Sequence, residues 1–309
     1  MALSISQILA ASYPAVANER RKPENQWAES AFLTAAERLG FIKRVNFGGT
    51  LEETLDYRRN AGAAVLSTDL QPMSLTKTDV LTAASFAIAS ISVPMVWSNE
   101  DEAKTPTENS KVDFVESLID NGMQSHDDIF ENTLFTGSNG LIGLDTMLHD
   151  SGTGTIGGID ASVETWWKNQ FDTYVDDTDI EAGMTSVWNA CMKGSGSSLK
   201  PRLLVSSDDT QALFEGSQQG QQRYVDAKDL NAGFVNLAFK TAPFVFSQYA
   251  SARINFLNPR SYRIKVSRSH FRRKGKEQEI DNANGTRVFI YSAVQAVTNN
   301  RSRLGVLHT

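Results

Sequence analysis

Cysteine occurs once in the 309 residues, at Cys191. A lone thiol excludes an intramolecular disulfide, a Cys-based metal cage and a Cys-x-x-Cys redox pair. It falls in the stripe Ile180, Met184, Val187, Trp188, Cys191, whose helical spacing predicts a packed structural thiol rather than a nucleophile. Histidine is nearly as scarce. The four residues at 126, 149, 270 and 308 form no H-E-x-x-H pair, so a zinc site would have to be assembled entirely by tertiary structure. His126 lies near an apolar stripe with no second His or Cys close by, and reads as a satisfied, buried or half-buried side chain.

Long apolar runs are missing as well. Residues 83–97 are the richest stretch, yet Ser85, Ser90, Ser92 and Pro94 break them, short of the roughly 18 residues a spanning helix needs. No membrane contact is expected. No Lys or Arg precedes Arg20, and Gln7 and Pro14 interrupt the early apolar residues. An amphipathic N-terminal arm is therefore expected instead of a secretory signal, although Ala15-Val16-Ala17 imitates a cleavage site.

Linear catalytic motifs are absent or out of context. G-x-S-x-G does not occur, and Gly275-Lys276 runs into Glu277 without phosphate-loop spacing. Gly152, Gly154 and Gly157 match G-x-G-x-x-G, but His149-Asp150-Ser151 before them is no strand end. Asp176-Asp177-Thr178-Asp179 with Glu181 lacks calcium-loop spacing and reads as an acid-enriched helix start. Trp166 and Trp167, about 100° apart on a helix, place one ring in the core and one at a contact. No catalytic, cofactor-binding or metal-ligating residue is expected, and no cofactor.

What is present is an ordinary globular composition, 40% apolar and 21% charged, in a chain long enough to bury about 70–75% of its unfolded surface. The net charge of −6 is unevenly spread. Residues 251–276 hold nine cations (Arg253, Arg260, Arg263, Lys265, Arg268, Arg272, Arg273, Lys274, Lys276) and no carboxylate, which leaves 21 positive against 36 negative charges, or −15, elsewhere. Such segregation favours contact with an acidic surface of another copy, or with nucleic acid. Arg268, Arg272, Arg273 and Lys274 are the candidate contact residues.

Along the chain, helical pieces are expected around residues 5–11 and 26–39. Strand character follows over 41–57 with a Gly48-Gly49 break, a loop tip over 58–71, and a strand at 83–97 with Ile91, Val93, Met95 and Trp97 on one face. The two extended runs predict a protruding hairpin that cannot bury itself in its own subunit. Thr105-Pro106-x-Glu108 predicts a capped helix start. Val112, Val115, Leu118, Ile119, Met123, Ile129, Phe130 and Leu134 carry its apolar face to a stop at Gly137, with Asn121-Gly122 as a weak point that bends it. Seven glycines between 137 and 158 predict an irregular passage and a domain boundary. Asp160 is expected to cap a short helix through Phe171, then come the helix of Cys191 ending at Gly194, a strand at 202–205 and a helix carrying Leu213 and Phe214. Further strands are expected at 234–249, 253–257, 261–266 and 286–298, with a turn at Asn258-Pro259.

This order resembles that of tailed-bacteriophage major capsid proteins with the Hong Kong 97-type fold, an α+β architecture. Leu141-Ile-Gly-Leu, Thr155-Ile-Gly-Gly-Ile-Asp160, Trp166-Trp167-Lys-Asn-Gln170 and Lys200-Pro-Arg-Leu-Leu-Val-Ser are similar to passages of such shell proteins. So are Phe239-Lys-Thr-Ala-Pro-Phe-Val, Phe256-Leu-Asn258 and Thr298-Asn-Asn-Arg-Ser-Arg-Leu-Gly305. The resemblance implies an N-arm (1–40), an extended loop (41–80), a peripheral domain with a spine helix (81–136), an axial domain (137–256) and returning peripheral strands (257–309). It implies self-assembly through pentamers and hexamers into an icosahedral virion shell around double-stranded DNA, assembled in the host cytoplasm. Implied partners are many copies of the chain, scaffolding, portal and decoration proteins, and packaged DNA held without sequence preference. A helical scaffolding extension ahead of the arm is not expected, so scaffolding would come from another chain, and because no Lys lies between Arg44 and Thr76, Lys–Asn cross-linking through the loop is not expected either. Alternatives are an encapsulin-like nanocompartment shell, a nucleic-acid-binding protein using residues 253–276, and a hydrolase whose site has no linear motif.

Overall fold

A computed structural model describes residues 5, 7–9, 30–63, 65, 77–105, 107–176, 178–192, 200–218, 237–281 and 283–309. The expected helix stop at Gly194, the start of the strand run at 234–236 and Pro106 lie outside them. Helix α1 (Ala31–Arg38) begins where the Ser30 hydroxyl accepts from the Leu33 amide at 3.0 Å. Strands β1 (Ile42–Val45), β2 (Leu51–Asp56), β3 (Leu81–Phe86) and β4 (Ala89–Ser98) follow, then helices α2 (Asn99–Lys104) and α3 (Glu108–Thr136). The passage beyond holds α4 (Leu144–Met147), β5 (Thr155–Ile156), β6 (Ile159–Asp160) and β7 (Gln170–Thr173). Next are α5 (Ile180–Cys191), β8 (Leu203–Ser206), α6 (Asp208–Gln218), β9 (Leu237–Phe239), β10 (Ala242–Phe246) and β11 (Arg253–Leu257). Strands β12 (Tyr262–Ser267), β13 (Arg273–Lys274), β14 (Gln278–Glu279), β15 (Gly285–Thr298) and β16 (Gly305–His308) close the chain.

Two six-stranded sheets organise these elements. In the first, β15 pairs antiparallel with β4 from Gly285 to Val294 and with β12 from Val294 to Thr298, while β1 adds in parallel to β12. The second runs β7-β16-β11-β8-β10-β9. Alternation in β4 is as the sequence dictates, with Ile91, Val93, Met95 and Trp97 all buried. Cys191 is fully buried against the second sheet, as its stripe predicted.

Helix α3 runs unbroken for 29 residues, about 43 Å at 1.5 Å per residue. Its cap differs from the expected one. Ser98 and Asp101 form the capping box of α2, and Thr105 ends that helix by donating to the Asp101 carbonyl at 2.9 Å. Thr107 then caps α3, its hydroxyl accepting from the Ser110 amide. Gly122 is no breakpoint. A Cβ there would stand 3.0 Å from Ile290 Cδ1 and 3.2 Å from Met95 Cγ, so the missing side chain lets the helix lie closely on the sheet.

Two further expectations change. Asp160 accepts from the amide and hydroxyl of Ser162 in a local turn rather than capping a helix, and after one 3-10 turn Phe171 lies exposed on β7. Leu213 and Phe214 do lie on one helix, α6, with Leu213 41% exposed and Phe214 buried. The hairpin β2–β3 does bury one face in its own subunit. Leu51, Leu55, Ala84 and Phe86 pack with Ile156, Ala161, Trp167 and Val297, and Glu53 is ion-paired with Lys265 of β12. The reason is the glycine passage: Gly157 lies against Ala84 and Phe86 and its carbonyl accepts the Ser85 amide at 3.0 Å. Beyond this root, Arg58, Arg59 and Val65 are exposed. Trp167 is in the core and half-buried Trp166 meets Tyr57, 5.2 Å between ring centroids.

Arg301 is the most consequential buried polar group. It is fully buried and donates to the carbonyls of Met147, Thr153 and Gly154 and to Asn169 Oδ1, at 3.0–3.2 Å. Burial lowers its pKa to about 10, so it keeps its charge at neutral pH. One guanidinium thus fixes a passage whose positive-φ glycines, Gly152 and Gly154 among them, supply little rigidity of their own.

Candidate assembly surface

Four polar residues of α3, Gln124, Asp127, Asp128 and Glu131, share one helix face at spacings of three and four. Asp127 and Glu131 are 5% and 7% exposed, whereas Gln124 and Asp128 reach solvent. With Ser30 at the start of α1 and Gln248 after β10, they line a cavity of about 90 Å³.

The Asp127 side of the cluster is tightly held. Asp127 Oδ1 accepts from the Arg272 guanidinium and lies 3.1 Å from His126 Nδ1. His126 Nε2 is 2.8 Å from Ser292 Oγ, which also accepts the Arg272 amide at 2.7 Å. Serine, histidine and aspartate here follow the order of a hydrolytic triad. Ser292 is 1% exposed and His126 fully buried, so no substrate carbonyl reaches the hydroxyl. The arrangement fastens α3 to β15, and His126 is the satisfied buried histidine expected.

Glu131 accepts from Ser247 Oγ at 2.6 Å. Burial raises its pKa, opposed by hydrogen bonds from Ser247 and Ser30 and reinforced by the charges of Asp128 and Asp127. Tyr249 donates to Asp128, and its hydroxyl is pushed up to about 12 by burial and by that carboxylate. Because the folded Glu131 pKa lies above the ordinary 4.5, the folded chain keeps a proton that the unfolded chain has lost. This group's contribution to stability therefore falls as pH rises from the ordinary value through the raised one. Melting curves from about pH 5 to pH 7 are expected to show a smaller loss of stability in Glu131→Gln than in the parent chain; an equal loss in both would refute the assignment.

The basic segment is distributed, not clustered. Arg253 is buried and paired with Asp145 at 2.6 Å and Asp150 at 3.0 Å, and Lys265 holds Glu53. Among the four candidate contact residues, Arg272 is committed to Asp127 and Lys274 to Glu277 at 3.0 Å. Arg268 and Arg273 are exposed, Arg273 lying 3.4 Å from His270 Nε2. Four of the nine cations, Arg253, Lys265, Arg272 and Lys274, thus meet carboxylates of their own chain.

No protein-family profile matches the chain, and comparison with curated proteins gives no match. Solved structures do match. A chain of the cyanophage A-1(L) capsid asymmetric unit aligns with a TM-score of 0.61 at 14% identity, covering 89% of this chain and 92% of that one. This chain has the Hong Kong 97-type capsid fold. The same capsid fold aligns with a chain of the native GTA particle capsid at TM-score 0.61 and 11% identity, covering 88% and 89%. It also aligns with the holo-SrpI encapsulin complex of Synechococcus elongatus PCC 7942, at TM-score 0.51 and 10% identity, covering 97% and 94%. Within this capsid fold, the sequence reading missed the acidic face of α3 and Arg301. The spacing of 124, 127, 128 and 131 was the available signal for the first; nothing local marked the second.

Proposed function

We propose that the chain is the major capsid protein of a tailed bacteriophage and self-assembles into an icosahedral shell enclosing double-stranded DNA. The observation that carries the reading is near-complete alignment, over about nine-tenths of both chains, with capsid subunits. The physical features agree. A hairpin extending past its buried root, with Val65 96% and Leu81 63% exposed, gains burial by meeting another copy. Phe246 and Leu213 stand exposed on the second sheet and its helix, at 44% and 41%. Apolar side chains in such positions mark association surfaces when they join into patches. Ring-forming contacts repeated over several neighbours give closed assemblies from individually modest interfaces.

Scaffolding, portal and decoration proteins would be the other partners, and DNA would be held without sequence preference, through exposed Arg268 and Arg273 more than through Arg272 and Lys274. The encapsulin alignment supports a second reading, a shell around a protein cargo. Electron microscopy of the expressed chain is expected to show closed particles tens of nanometres across. Particles from the natural source are expected to protect DNA from nuclease. Absence of closed particles at every concentration refutes both readings, and particles filled with protein instead of DNA favour the second.

A further inference from the structure

We propose that the fold singles out Asn139, among the three Asn-Gly pairs of the chain, for spontaneous backbone modification, in which a succinimide closes with Gly140 and water reopens it to isoaspartate. This chemistry is independent of the shell reading. Asn-Gly occurs at 121–122, 139–140 and 284–285, and the reaction is the same at each. The glycine amide nitrogen attacks the asparagine Cγ, a nitrogen–carbon bond forms, and the Cγ–Nδ2 bond breaks. Ammonia leaves, carrying the former amide proton. Water then adds to one of the two ring carbonyls and opens the ring. Attack at the side-chain carbonyl gives aspartate; attack at the main-chain carbonyl gives isoaspartate, with the backbone running through Cβ and Cγ. Glycine favours the closure because no Cβ crowds the attacking nitrogen.

The three pairs differ in how far the fold permits the attack. Asn139 and Gly140 are the central residues of a turn closed by the Leu141 amide on the Ser138 carbonyl at 2.9 Å. Their φ values of 47° and 91° are those of the tight turn that Asn-Gly favours. Both residues are exposed, and no atom beyond the chain neighbours lies within 4 Å of where a Gly140 Cβ would stand. Among the described residues neither the Asn139 side chain nor the Gly140 amide has a hydrogen-bond partner, so the side chain swings onto the nitrogen without displacing anything. Asn121 lies inside α3, where amides are tied into the helix ladder and Gly122 is pressed against Ile290 and Met95. Asn284 has its Oδ1 held by Asn99, and the Gly285 amide donates to the Ala283 carbonyl at 3.1 Å. Reaction at either of these sites waits for local opening. The product at Asn139 has a defined mechanical consequence. Fully buried Gln295 donates to the carbonyls of Gly140, at 2.8 Å, and Ala87, and accepts from the Ile142 amide at 3.1 Å. Isoaspartate adds one carbon to the backbone of this turn, which carries the Gly140 carbonyl off Gln295 and leaves a buried donor unpaired.

Ageing the folded full chain in mildly alkaline buffer and mapping its peptides by mass spectrometry tests the proposal. Modified Asn139 is expected to accumulate roughly tenfold or more faster than modified Asn121 or Asn284, because opening those two sites adds to the barrier. In urea the fold no longer ranks the sites, and the three rates are expected to converge. Equal rates in the folded chain, or a lead for Asn121 or Asn284, overturn the proposal. A lead for Asn139 that persists undiminished in urea overturns it as well, since the cause then lies in local sequence and not in the turn. A second measurement reads the consequence. The isoaspartate-bearing chain, separated by ion exchange on its added charge, is expected to unfold at lower urea than Asn139→Asp, which carries the same charge without the extra backbone carbon. Equal midpoints refute the loss of the Gln295 contact.

Discussion

Arg301→Met is expected to destabilise the subunit by about 3–5 kcal/mol, the range for removing one partner from a buried charged network. A typical domain has only about 5–15 kcal/mol of stability in total, so the variant should be largely insoluble at 37 °C or unfold at markedly lower urea. The loss has an identifiable source. Methionine fills much of the volume, but the carbonyls of Met147, Thr153 and Gly154 and the Asn169 side chain all lose a donor. Asn169 also accepts the His149 amide at 3.2 Å and donates to the His149 carbonyl at 2.9 Å, so the disturbance spreads to the passage beside β7. Arg301→Lys should recover only part of the loss, because one ammonium cannot reproduce the planar fork. A urea midpoint for Arg301→Met equal to that of the parent would show that water replaces the guanidinium without cost.

Gly143→Ala is expected to have the next largest effect, about 3 kcal/mol, at the upper end for overpacking. Its Cβ would stand 2.3 Å from the Gly137 nitrogen, 2.4 Å from the Phe135 carbonyl oxygen and 2.6 Å from the Thr136 carbonyl carbon. All three are backbone atoms, so no side-chain rotation relieves the clash. The end of α3 would have to move, and with it the turn whose Gly140 carbonyl and Ile142 amide are held by Gln295. Gly140→Ala serves as the comparison. It has open space around the Cβ and only a positive φ of 91° to oppose it, so a smaller loss of about 1–2 kcal/mol is expected. Urea unfolding of the two variants side by side gives the difference; equal losses would place the strain in backbone torsion rather than in close approach.

Elements defined by local periodicity were legible in the sequence. The alternation in β4, the stripe ending at Cys191, the buried run at 203–206 and the turn after Leu257 all follow from spacing and turn chemistry. The glycine stop at Gly137 was legible for the same reason, its φ of 75° being hard for other residues. The misses have non-local causes. The start of α3 moved because Thr105, the expected cap, closes α2 with its hydroxyl on the Asp101 carbonyl, which leaves Thr107 to cap the longer helix. Gly122 was read as a weakness, since the side chains that require it, Met95 and Ile290, are distant in sequence. The hairpin root was expected to be unpartnered because Trp167 and Val297, which cover it, cannot be placed by pattern. The ion pairs of Arg253, Lys265 and Arg272 were not legible in the basic segment, since Asp145, Asp150, Glu53 and Asp127 approach them only once the chain has folded.

A single apolar cluster joins α1, the end of α3, and both sheets: Leu203, Val205 and Leu257 from the second sheet lie in it with Ile264, Val266 and Ala296 from the first. Interiors packed at crystal-like density transmit strain instead of absorbing it. A subunit built this way behaves as one stiff tile, with little capacity to flex at its waist. In the proposed shell, differences in local bend between five-fold and six-fold positions would then be taken up at the seams, by the hairpin beyond its root and by the edges where tiles abut.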